Sequence, residues 1–210
     1  MHIKRNEIPK TWPLPRKGTK FVVVPSHNKE NSIPLLIVLR DILQIVKNRK
    51  EAKKIINEKK VKINFKFVKD VKQALQLFDI LTLDNKNFRV VFKNKKFSLQ
   101  EIGNEETKIS KIIGKKILKK NQIQFNFLDG SNLLVKEKAK VGDSIIINLK
   151  TKKIEKILPF KEKAKVIFIA GKHIGEEGKI KEIKEGEKLI KVEVEGREIN
   201  AERKSLMVIS

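Results

Sequence analysis

The segment from Ile33 to Leu83 has the clearest pattern of apolar and polar positions in this chain. Its first part repeats apolar residues at the spacing of one helix face, at Leu35, Leu36, Val38, Leu39, Ile42, Leu43 and Val46. A second helix is predicted where Ala52, Ile55 and Ile56 are interleaved with basic residues. Strand-like runs follow at residues 61–64 and 78–83. The pattern therefore predicts two packed helices followed by a small sheet.

The second predicted helix has one apolar and one cationic face. If its apolar residues pack on the first helix, the 3.6-residue period carries Arg49, Lys53 and Lys54 toward solvent. The phosphates of a nucleic acid are the natural partners of such a face. The alternative is a solvated helix surface on an unrelated fold, because charged helix surfaces are common. The residues of this segment alone leave both interpretations open.

Residues 87–160 alternate short apolar runs with turn residues, which favours β-strands. The pair Asp129–Gly130, between Phe127 and Leu133, is typical of a hairpin turn. Residues 141–144 lead into a further apolar run. We therefore expect a small all-β domain over this range.

Residues 161–210 show a second β pattern, with strand-like runs at 164–169, 189–194 and 206–209. A glycine-rich loop follows the first run and contains Gly171, Gly175 and Gly178. Tight turns of small barrels use glycine because it adopts positive φ angles freely. The pattern predicts a small β-barrel, for which glycine spacing by itself is a weak signal.

Residues 1–31 are predicted to form an extended basic arm. Long helices are interrupted there by Pro9, Pro13, Pro15 and Pro25. Residues 1–20 carry six Lys or Arg against one Glu, and this composition predicts that they are disordered in isolation and ordered on binding. Trp12 would then offer its ring to an unstacked base. The alternative is that Trp12 packs on its own domain.

The net charge of the chain indicates the kind of partner that it binds. The 210 residues include 49 Lys or Arg and 25 Asp or Glu, which gives a net charge of +24 and an isoelectric point near 10.1. Such an excess predicts a polyanionic partner. Residues 161–210 hold twelve basic and ten acidic residues, so the main footprint of the partner is expected before them.

Residue content also disfavours several classes of function. The chain has no cysteine, which excludes disulfides, thiolate zinc sites and thiol nucleophiles. Its histidines, His2, His27 and His173, are too scattered for the usual metal-ligand spacings. Gly178–Lys179 is not followed by the Ser or Thr of a phosphate-binding loop. No run approaches the roughly 18 apolar residues of a membrane span. We expect a cytoplasmic protein with no cofactor, no metal and no enzymatic activity.

The segment 49–80 resembles the S4-type RNA-binding module, in which two packed helices and a small sheet grip structured RNA. The resemblance rests on Arg49–Ala52, Ile55–Ile56, Val61–Asn64 and Phe78–Ile80. One position departs from the module: where it usually has glycine after the residue matching Asn64, this chain has Phe65. The turn is therefore expected to be wider or of another type.

The whole chain is similar to the ribosomal protein S4e family of archaea and eukaryotes. His2–Arg5 and Pro9–Trp12 are similar to the opening of that family, and residues 141–160 are similar to its central domain. The KOW motif is a turn-rich segment that binds RNA or protein. Residues 166–180 resemble it through Val166, Gly171, Gly175, Gly178 and Ile180.

This resemblance implies an α+β fold in four parts: a basic arm (1–31), an S4-type module (32–86), a central β domain (87–160) and an SH3-like KOW barrel (161–210). It implies a structural constituent of the small ribosomal subunit that binds rRNA, in its 5′ region, beside neighbouring ribosomal proteins and without forming homo-oligomers. In the family the arm threads into ribosomal RNA. The alternative is a free RNA-binding modification enzyme or an elongation-type regulator.

The candidate RNA-contacting residues are basic or aromatic residues of these parts. In the arm they are His2, Lys4, Arg5, Lys10, Trp12, Arg16 and Lys17. In the S4-type module they are Arg40, Arg49, Lys50, Lys53, Lys54, Lys59, Lys60 and Lys62. In the two β parts they are Lys115, Lys116, Lys119, Lys120, Lys172 and His173. For the four lysines between 115 and 120, the alternative is a charged guard against edge-to-edge aggregation.

Overall fold

The computed structural model describes residues 2–103, 105–118, 122–183 and 189–209. It divides the chain into two compact units, Met1–Glu105 and Glu106–Ser210. The described residues of both units form mostly antiparallel strands, with short helices in the first unit. The expected α+β class therefore holds only in part, because the fold is mostly β.

The first unit combines short strands with a long hairpin at its end. Its strands are β1 (His2–Lys4), β2 (Phe21–Val23), β3 (Ser32–Pro34), β4 (Val61–Ile63), β5 (Lys66–Phe67), β6 (Ala74–Gln76), β7 (Ile80–Leu83), β8 (Lys86–Lys93) and β9 (Lys96–Ile102). Its helical segments are a 3₁₀ turn (Arg5–Glu7), α1 (Leu35–Ile37), a π-helical turn that continues α1 (Val38–Ile42), and α2 (Arg49–Asn57).

One five-stranded antiparallel sheet organises this unit, in the order β5-β4-β7-β8-β9. Two-stranded sheets, β1-β2 and β3-β6, complete it. The core side of the large sheet carries Val61, Ile63, Leu81, Val90 and Phe97, all of them buried. The apolar residues of α1 and α2 belong to the same core cluster. Apolar residues of both predicted helices thus share one core with the sheet.

The first predicted helix ends earlier than its apolar spacing indicated. After α1 the backbone widens, and the amide of Leu43 donates to the carbonyl of Val38, five residues back. Gln44 then takes a φ of 55°, which ends the helical path. Val46 nevertheless reaches the core. The spacing therefore predicted most of the buried residues but not the length of the helix.

Residues 87–105 join the first unit, whereas the sequence placed them in the central domain. Leu83 lies opposite Lys86, so β7 turns directly into β8, which pairs in turn with β9. Antiparallel strands joined by a two-residue turn extend one sheet. The hairpin therefore completes the first sheet, and the second unit begins at Glu106.

The turn after β4 is tight, which corrects the expectation of a wider one. Ile63 lies opposite Lys66, so only Asn64 and Phe65 form the turn. Both have positive φ angles, 50° and 62°, as in type I′ hairpin turns. The side-chain oxygen of Asn64 accepts a hydrogen bond from the amide of Ile80 at 3.0 Å. This bond helps to hold Phe65 in a conformation that non-glycine residues rarely adopt.

The predicted extended arm is folded onto the first unit. β1 pairs with β2, and the carbonyl of Thr11 accepts from the amide of Phe97 in β9 at 2.8 Å. Trp12 is 2% exposed, and its indole N–H donates to the carbonyl of Ser32 at 2.8 Å. The structure therefore disagrees with the disorder expected for residues 1–20. Proline content and charge indicated an irregular segment but did not show that its apolar side chains reach the core.

The second unit contains two five-stranded antiparallel sheets. The first sheet, in the order β12-β11-β10-β13-β14, consists of β10 (Thr107–Ile117), β11 (Ile123–Phe127), β12 (Asn132–Val135), β13 (Ser144–Asn148) and β14 (Ile154–Leu158). The second, in the order β18-β17-β16-β15-β19, consists of β15 (Lys165–Phe168), β16 (Glu177–Glu182), β17 (Leu189–Val194), β18 (Arg197–Glu202) and β19 (Leu206–Val208).

Turn chemistry in the second unit follows the sequence closely. The hairpin predicted at Asp129–Gly130 joins β11 to β12, and Gly130 has a φ of +80°. In the later loop, Gly171 and Gly175 have φ angles of +90° and +84°. Gly178 is needed for a different reason: a Cβ there would lie 2.6 Å from the carbonyl oxygen of Glu193. Close approach of β16 and β17 therefore requires glycine at this position.

A buried lysine fastens the two sheets of the second unit together. Lys111 of β10 is 4% exposed. A 3₁₀ turn (Arg203–Ser205) precedes β19. The Nζ of Lys111 donates to the carbonyls of Arg203 (2.8 Å) and Lys204 (2.9 Å) in this turn and to that of Leu206 (2.6 Å) at the start of β19. These bonds use all three donors of an ammonium group. Burial, and next the charge of Arg203, lower the pKa of Lys111 to about 8.

Replacing Lys111 with Met is expected to remove an alkaline pH dependence of stability. The folded-state pKa of about 8 is below the ordinary value of 10.5. The unfolded chain therefore binds more protons between these two pH values, and this group makes the wild type more stable as pH rises through the window. The rise attributable to Lys111 is on the order of 3 kcal/mol. Denaturant unfolding of wild type and variant across that window measures it as a difference.

A suitable control is Lys165→Met, which removes an exposed lysine whose Nζ lies 2.7 Å from Glu177. It controls for the loss of a lysine charge at an exposed position. If the pH profile of Lys111→Met ran parallel to that of the wild type, Lys111 would not carry a lowered pKa.

Candidate nucleic-acid interface

α2 is fixed by a cap at its N-terminus and by burial of one face. The side chain of Asn48 accepts from the amide of Glu51 at 3.0 Å, and the Glu51 carboxylate accepts from the amide of Lys47 at 2.7 Å. This reciprocal arrangement satisfies amides that a helix start leaves without partners. Ala52 and Ile56 are buried. The cap and the buried face therefore fix the orientation of α2 about its own axis, so that its other face points to solvent.

The outward face of α2 concentrates cations that repel one another. Arg49, Lys50, Lys53 and Lys54 are all exposed. They form two pairs with four-residue spacing, at which like charges destabilise a helix. Two of them also lie in the first turn, where the helix dipole disfavours positive charge. The acid within the helix, Glu51, is used by the cap. Anions bound along this face would relieve the repulsion.

Other basic candidates near α2 are partly neutralised by neighbouring acids. Lys60 and Glu58 form an exposed ion pair at 2.8 Å. The hydrogen bond of that pair, followed by its charge interaction, raises the pKa of Lys60 and lowers the pKa of Glu58. Arg40 pairs with Asp41, also at 2.8 Å. Lys59 is exposed. By contrast, no ion pair reaches the four α2 cations within the described part of the chain.

The arm presents charge to solvent but not its tryptophan. The exposed candidates are His2, Lys4, Lys10, Arg16 and Lys17. Arg5 is used by the arm itself: Nε donates to the carbonyl of Thr19, and a terminal nitrogen donates to that of Pro15, both at 2.7 Å. Trp12 is a core residue with an internal hydrogen bond. The structure thus corrects the assignment of Trp12 as a base-stacking residue.

The basic run of the second unit lies at the far end of β10. Lys115 and Lys116 are exposed there, whereas Lys119 and Lys120 lie outside the described residues. β10 pairs with β13 through residues 107–111 and with β11 through residues 112–117. The half of β10 that carries the lysines therefore pairs with β11 and not with β13. An RNA contact and a charged edge both remain compatible with this position.

The glycine-rich loop offers one exposed cation, Lys172. His173 is half-buried, and its Nδ1 lies 2.8 Å from an oxygen of Glu176. Its ring centroid is 5.8 Å from that of Phe168, and the amide of Gly175 donates to the Phe168 carbonyl at 2.8 Å. His173 therefore orders the loop, and Lys172 is the residue that presents charge.

Sequence reasoning did not single out Phe67, which is 50% exposed on the edge strand β5. The Nζ of its cross-strand partner, Lys62, lies 4.7 Å from the centre of the ring. A two-residue turn at Asn64–Phe65 would have placed Lys62 opposite Phe67, so the tight turn was the missing signal.

Two carboxylates of the second unit have structural partners. Asp143 accepts from the amide of Phe160 at 2.9 Å. Asp129 pairs with the buried Lys108 at 2.5 Å. Burial acts to raise the pKa of Asp129, but the charge of Lys108 and hydrogen bonds from Lys108 and Ser131 bring that pKa below its ordinary value. The Asp129 carboxylate is thus held as an anion within the fold, and Asp143 serves as a hydrogen-bond acceptor.

The described residues lack both a metal-ligand cluster and a membrane-spanning helix. His, Asp and Glu residues nowhere gather there in a group of three that could hold a metal ion. In the same residues no helix is long and apolar enough to cross a membrane.

Known proteins are similar to this chain over most of its length. A family model described as ribosomal family S4e matches residues 84–154. The small ribosomal subunit protein eS4 of Methanocella arvoryzae is 38% identical over 189 residues, which cover 87% of this chain and 81% of that protein. The protein of the same name from Archaeoglobus fulgidus is 36% identical over 209 residues, 95% of this chain and 88% of that one.

A solved structure agrees with these relatives. The crystal structure of the 30S ribosomal protein S4e from Thermoplasma acidophilum matches with a TM-score of 0.74 and 28% identity, over 87% of this chain and 96% of that chain. The agreement therefore extends from sequence to fold. This chain belongs to the ribosomal protein S4e family.

Proposed function

We propose that this protein is a structural, non-catalytic constituent of the small ribosomal subunit, that it binds rRNA, and that it takes part in translation in the cytoplasm. The observation that carries the proposal is the outward face of α2, where four exposed cations repel one another without an ion pair in the described part of the chain. The names of its relatives, small ribosomal subunit proteins, support the same conclusion.

Binding would proceed by counterion release and recognition of shape. Lysine and arginine side chains that approach phosphates displace the cations condensed on the RNA, which favours association. Folded RNA is recognised chiefly through its shape and backbone. The capped helix α2 suits this role, because its cations project from a surface whose orientation is fixed by the core.

The finer organisation is proposed on the same basis. Residues 32–86, completed by the β8–β9 hairpin, form an S4-type module in which α1 and α2 share a core with the sheet. Residues 161–210 form an SH3-like KOW barrel, an assignment supported by inward-facing residues from β15 to β19 that meet in one cluster. Residues 1–31 form the basic arm, folded back on the module, and the central β domain lies between the two modules.

The candidate contacts are proposed to lie mainly before the barrel. Residues 161–210 carry twelve basic and ten acidic residues, a net charge of +2, out of +24 for the chain. Since the electrostatic part of affinity scales with the phosphates neutralised, the barrel would position the protein while the preceding residues anchor it. We propose the 5′ region of the small-subunit rRNA as the site, with neighbouring ribosomal proteins and without homo-oligomers.

Co-sedimentation with ribosomal subunits in high salt tests the proposed function. A structural constituent is expected to remain with the small subunit and to be absent from the large subunit, because shape-specific contacts persist after exposed charges are screened. The large-subunit fraction from the same gradient is the control. Complete release at high salt, or equal recovery from both subunits, would overturn the proposal.

A further inference from the structure

The hairpin β4–β5 holds an aromatic side chain that the core does not need. Val61, Ile63 and Val68 supply its buried residues. Phe67 lies on the other side of the sheet and is half exposed. Single exposed apolar residues are common and carry no meaning alone. The significance of Phe67 comes from what surrounds it and from how rigidly its strand is held.

One lysine lies over the exposed ring, and two more lie near it along the chain. Lys62 lies directly opposite Phe67 in the strand pairing, with its Nζ 4.7 Å from the ring centre. Lys66 and Lys69 are exposed one residue before and two residues after Phe67. A cation near an aromatic ring, with further cations along the strand, suits a nucleotide, whose base stacks on rings and whose phosphates attract lysines.

The ring stands at one end of a polar row across the outer face of the sheet. Cross-strand pairing places Phe67, Lys62, Thr82 and Asn87 side by side from β5 to β8. Paired residues share a face of the sheet. The hydroxyl of Thr82 donates to the side-chain oxygen of Asn87 at 2.8 Å. Hydrogen-bonding groups therefore continue the surface that begins at the ring.

Hydrogen bonds hold the hairpin that carries Phe67 in place. The side-chain amide of Asn64 donates to Asp79 at 2.8 Å, and its side-chain oxygen accepts from the amide of Ile80 at 3.0 Å. These bonds connect the Asn64–Phe65 turn to Asp79 and Ile80 at the start of β7. A strand held in this way loses little conformational freedom on binding, which favours affinity.

We propose that Phe67 is the stacking platform for one unpaired nucleobase of the bound rRNA, which stacks on the face of the ring opposite Lys62, with Lys69 near a flanking phosphate. This inference rests on the proposed rRNA-binding function. Stacking is tolerant of base identity, so the site takes an unstacked base of any kind, in a single-stranded loop or bulge rather than within a continuous duplex.

The test compares Phe67→Ala with the wild type for binding to small-subunit rRNA over a range of salt concentrations. Loss of one stacked base is expected to lower affinity by about 5- to 150-fold. Because stacking releases no counterions, the slope of log affinity against log salt should stay unchanged. Phe67→Leu should also lose affinity, since it keeps apolar bulk without a ring. Leu189→Ala, which truncates another half-exposed apolar residue, is the control and should bind as the wild type does.

A fluorescent variant reports stacking directly. The chain has one tryptophan, Trp12, and it is buried. Phe67→Trp therefore adds the only exposed indole, whose fluorescence should be quenched when rRNA binds, while the wild-type signal stays nearly constant. Thermal unfolding of each variant verifies that the fold is intact.

The outcomes separate this inference from the function on which it rests. If the wild type failed to bind small-subunit rRNA, the proposed function would fail. If the wild type bound but Phe67→Ala bound equally well and Phe67→Trp was not quenched, the stacking platform would be overturned. Normal rRNA affinity of Phe67→Ala combined with poor incorporation into subunits would assign the ring to a protein neighbour instead, and would likewise overturn it.

Discussion

Replacing Arg49, Lys53 and Lys54 with Gln is expected to lower affinity for small-subunit rRNA by about 10²- to 10³-fold near 0.1 M salt. Each phosphate contact contributes about 0.7–0.9 to the slope of log affinity against log salt. Loss of three contacts should therefore flatten the slope by about 2–3 units. Filter binding or fluorescence anisotropy at several salt concentrations measures both quantities in one series.

The fold should tolerate this triple substitution. All three side chains are exposed, and Arg49 and Lys53 form a repulsive pair with four-residue spacing. Their removal should leave α2 as stable as before or slightly more stable. A fall in affinity would then report lost contacts with RNA and not unfolding.

A matched control removes the same charge from a place where it is already balanced. Lys165 and Lys181 are exposed and Lys191 is partly buried. All three belong to the second unit, and each pairs with a glutamate: Glu177, Glu198 and Glu182. Substitution of these three lysines by Gln should change the salt slope by less than about one unit. Equal losses in both triple variants would mean that net charge alone drives binding, and α2 would lose its special role.

Local patterns in the sequence were enough to predict the chemistry of α2. Its apolar and basic positions alternate with a period of 3.6 residues, and the structure buries Ala52 and Ile56 while exposing the cations. The hairpin at Asp129–Gly130 was predictable for a similar reason, because turn conformation depends on adjacent residues. Whether the α2 cations contact RNA stays a prediction.

Features that depend on distant residues were not predictable in this way. Phe65 occupies a left-handed turn conformation that its own propensity disfavours, and Asn64 supports that turn through Ile80, sixteen residues away. The pairing of Lys62 with Phe67 follows from that same turn. Because the turn was predicted to be wider than it is, the sequence did not reveal that Lys62 lies opposite Phe67.

The arm shows how composition can mislead. Prolines and positive charge in residues 1–20 are typical of disordered segments, yet a few contacts place this stretch in the core. Burial of Trp12, with Ile8 and Leu14 packed against the same core, supplies apolar contacts that the composition of the segment did not indicate. The residue that anchors the arm and the residues proposed to bind RNA are therefore different, because Trp12 is buried and the cations are exposed.

Trp12→Ala is expected to lower the free energy of unfolding of the first unit by about 3–5 kcal/mol. Truncating a buried tryptophan loses its apolar burial and leaves a cavity. The carbonyl of Ser32, which accepts the indole N–H at 2.8 Å, also loses its donor. Trp12→Phe keeps most of the ring but not the hydrogen bond, and should lose about 1–2 kcal/mol.

Amide hydrogen exchange is the suitable measurement, because it resolves the first unit from the second. Faster exchange is expected at the amides of β3 and β9, where the arm is attached through Ser32 and Phe97, with little change in β15 to β19. Phe21→Ala, which removes a half-exposed ring from the same arm, serves as the control and should lose under about 1 kcal/mol. If Trp12→Ala and Phe21→Ala had equally small effects, the arm would be detached in solution, and Trp12 would again become a candidate for contact with an RNA base.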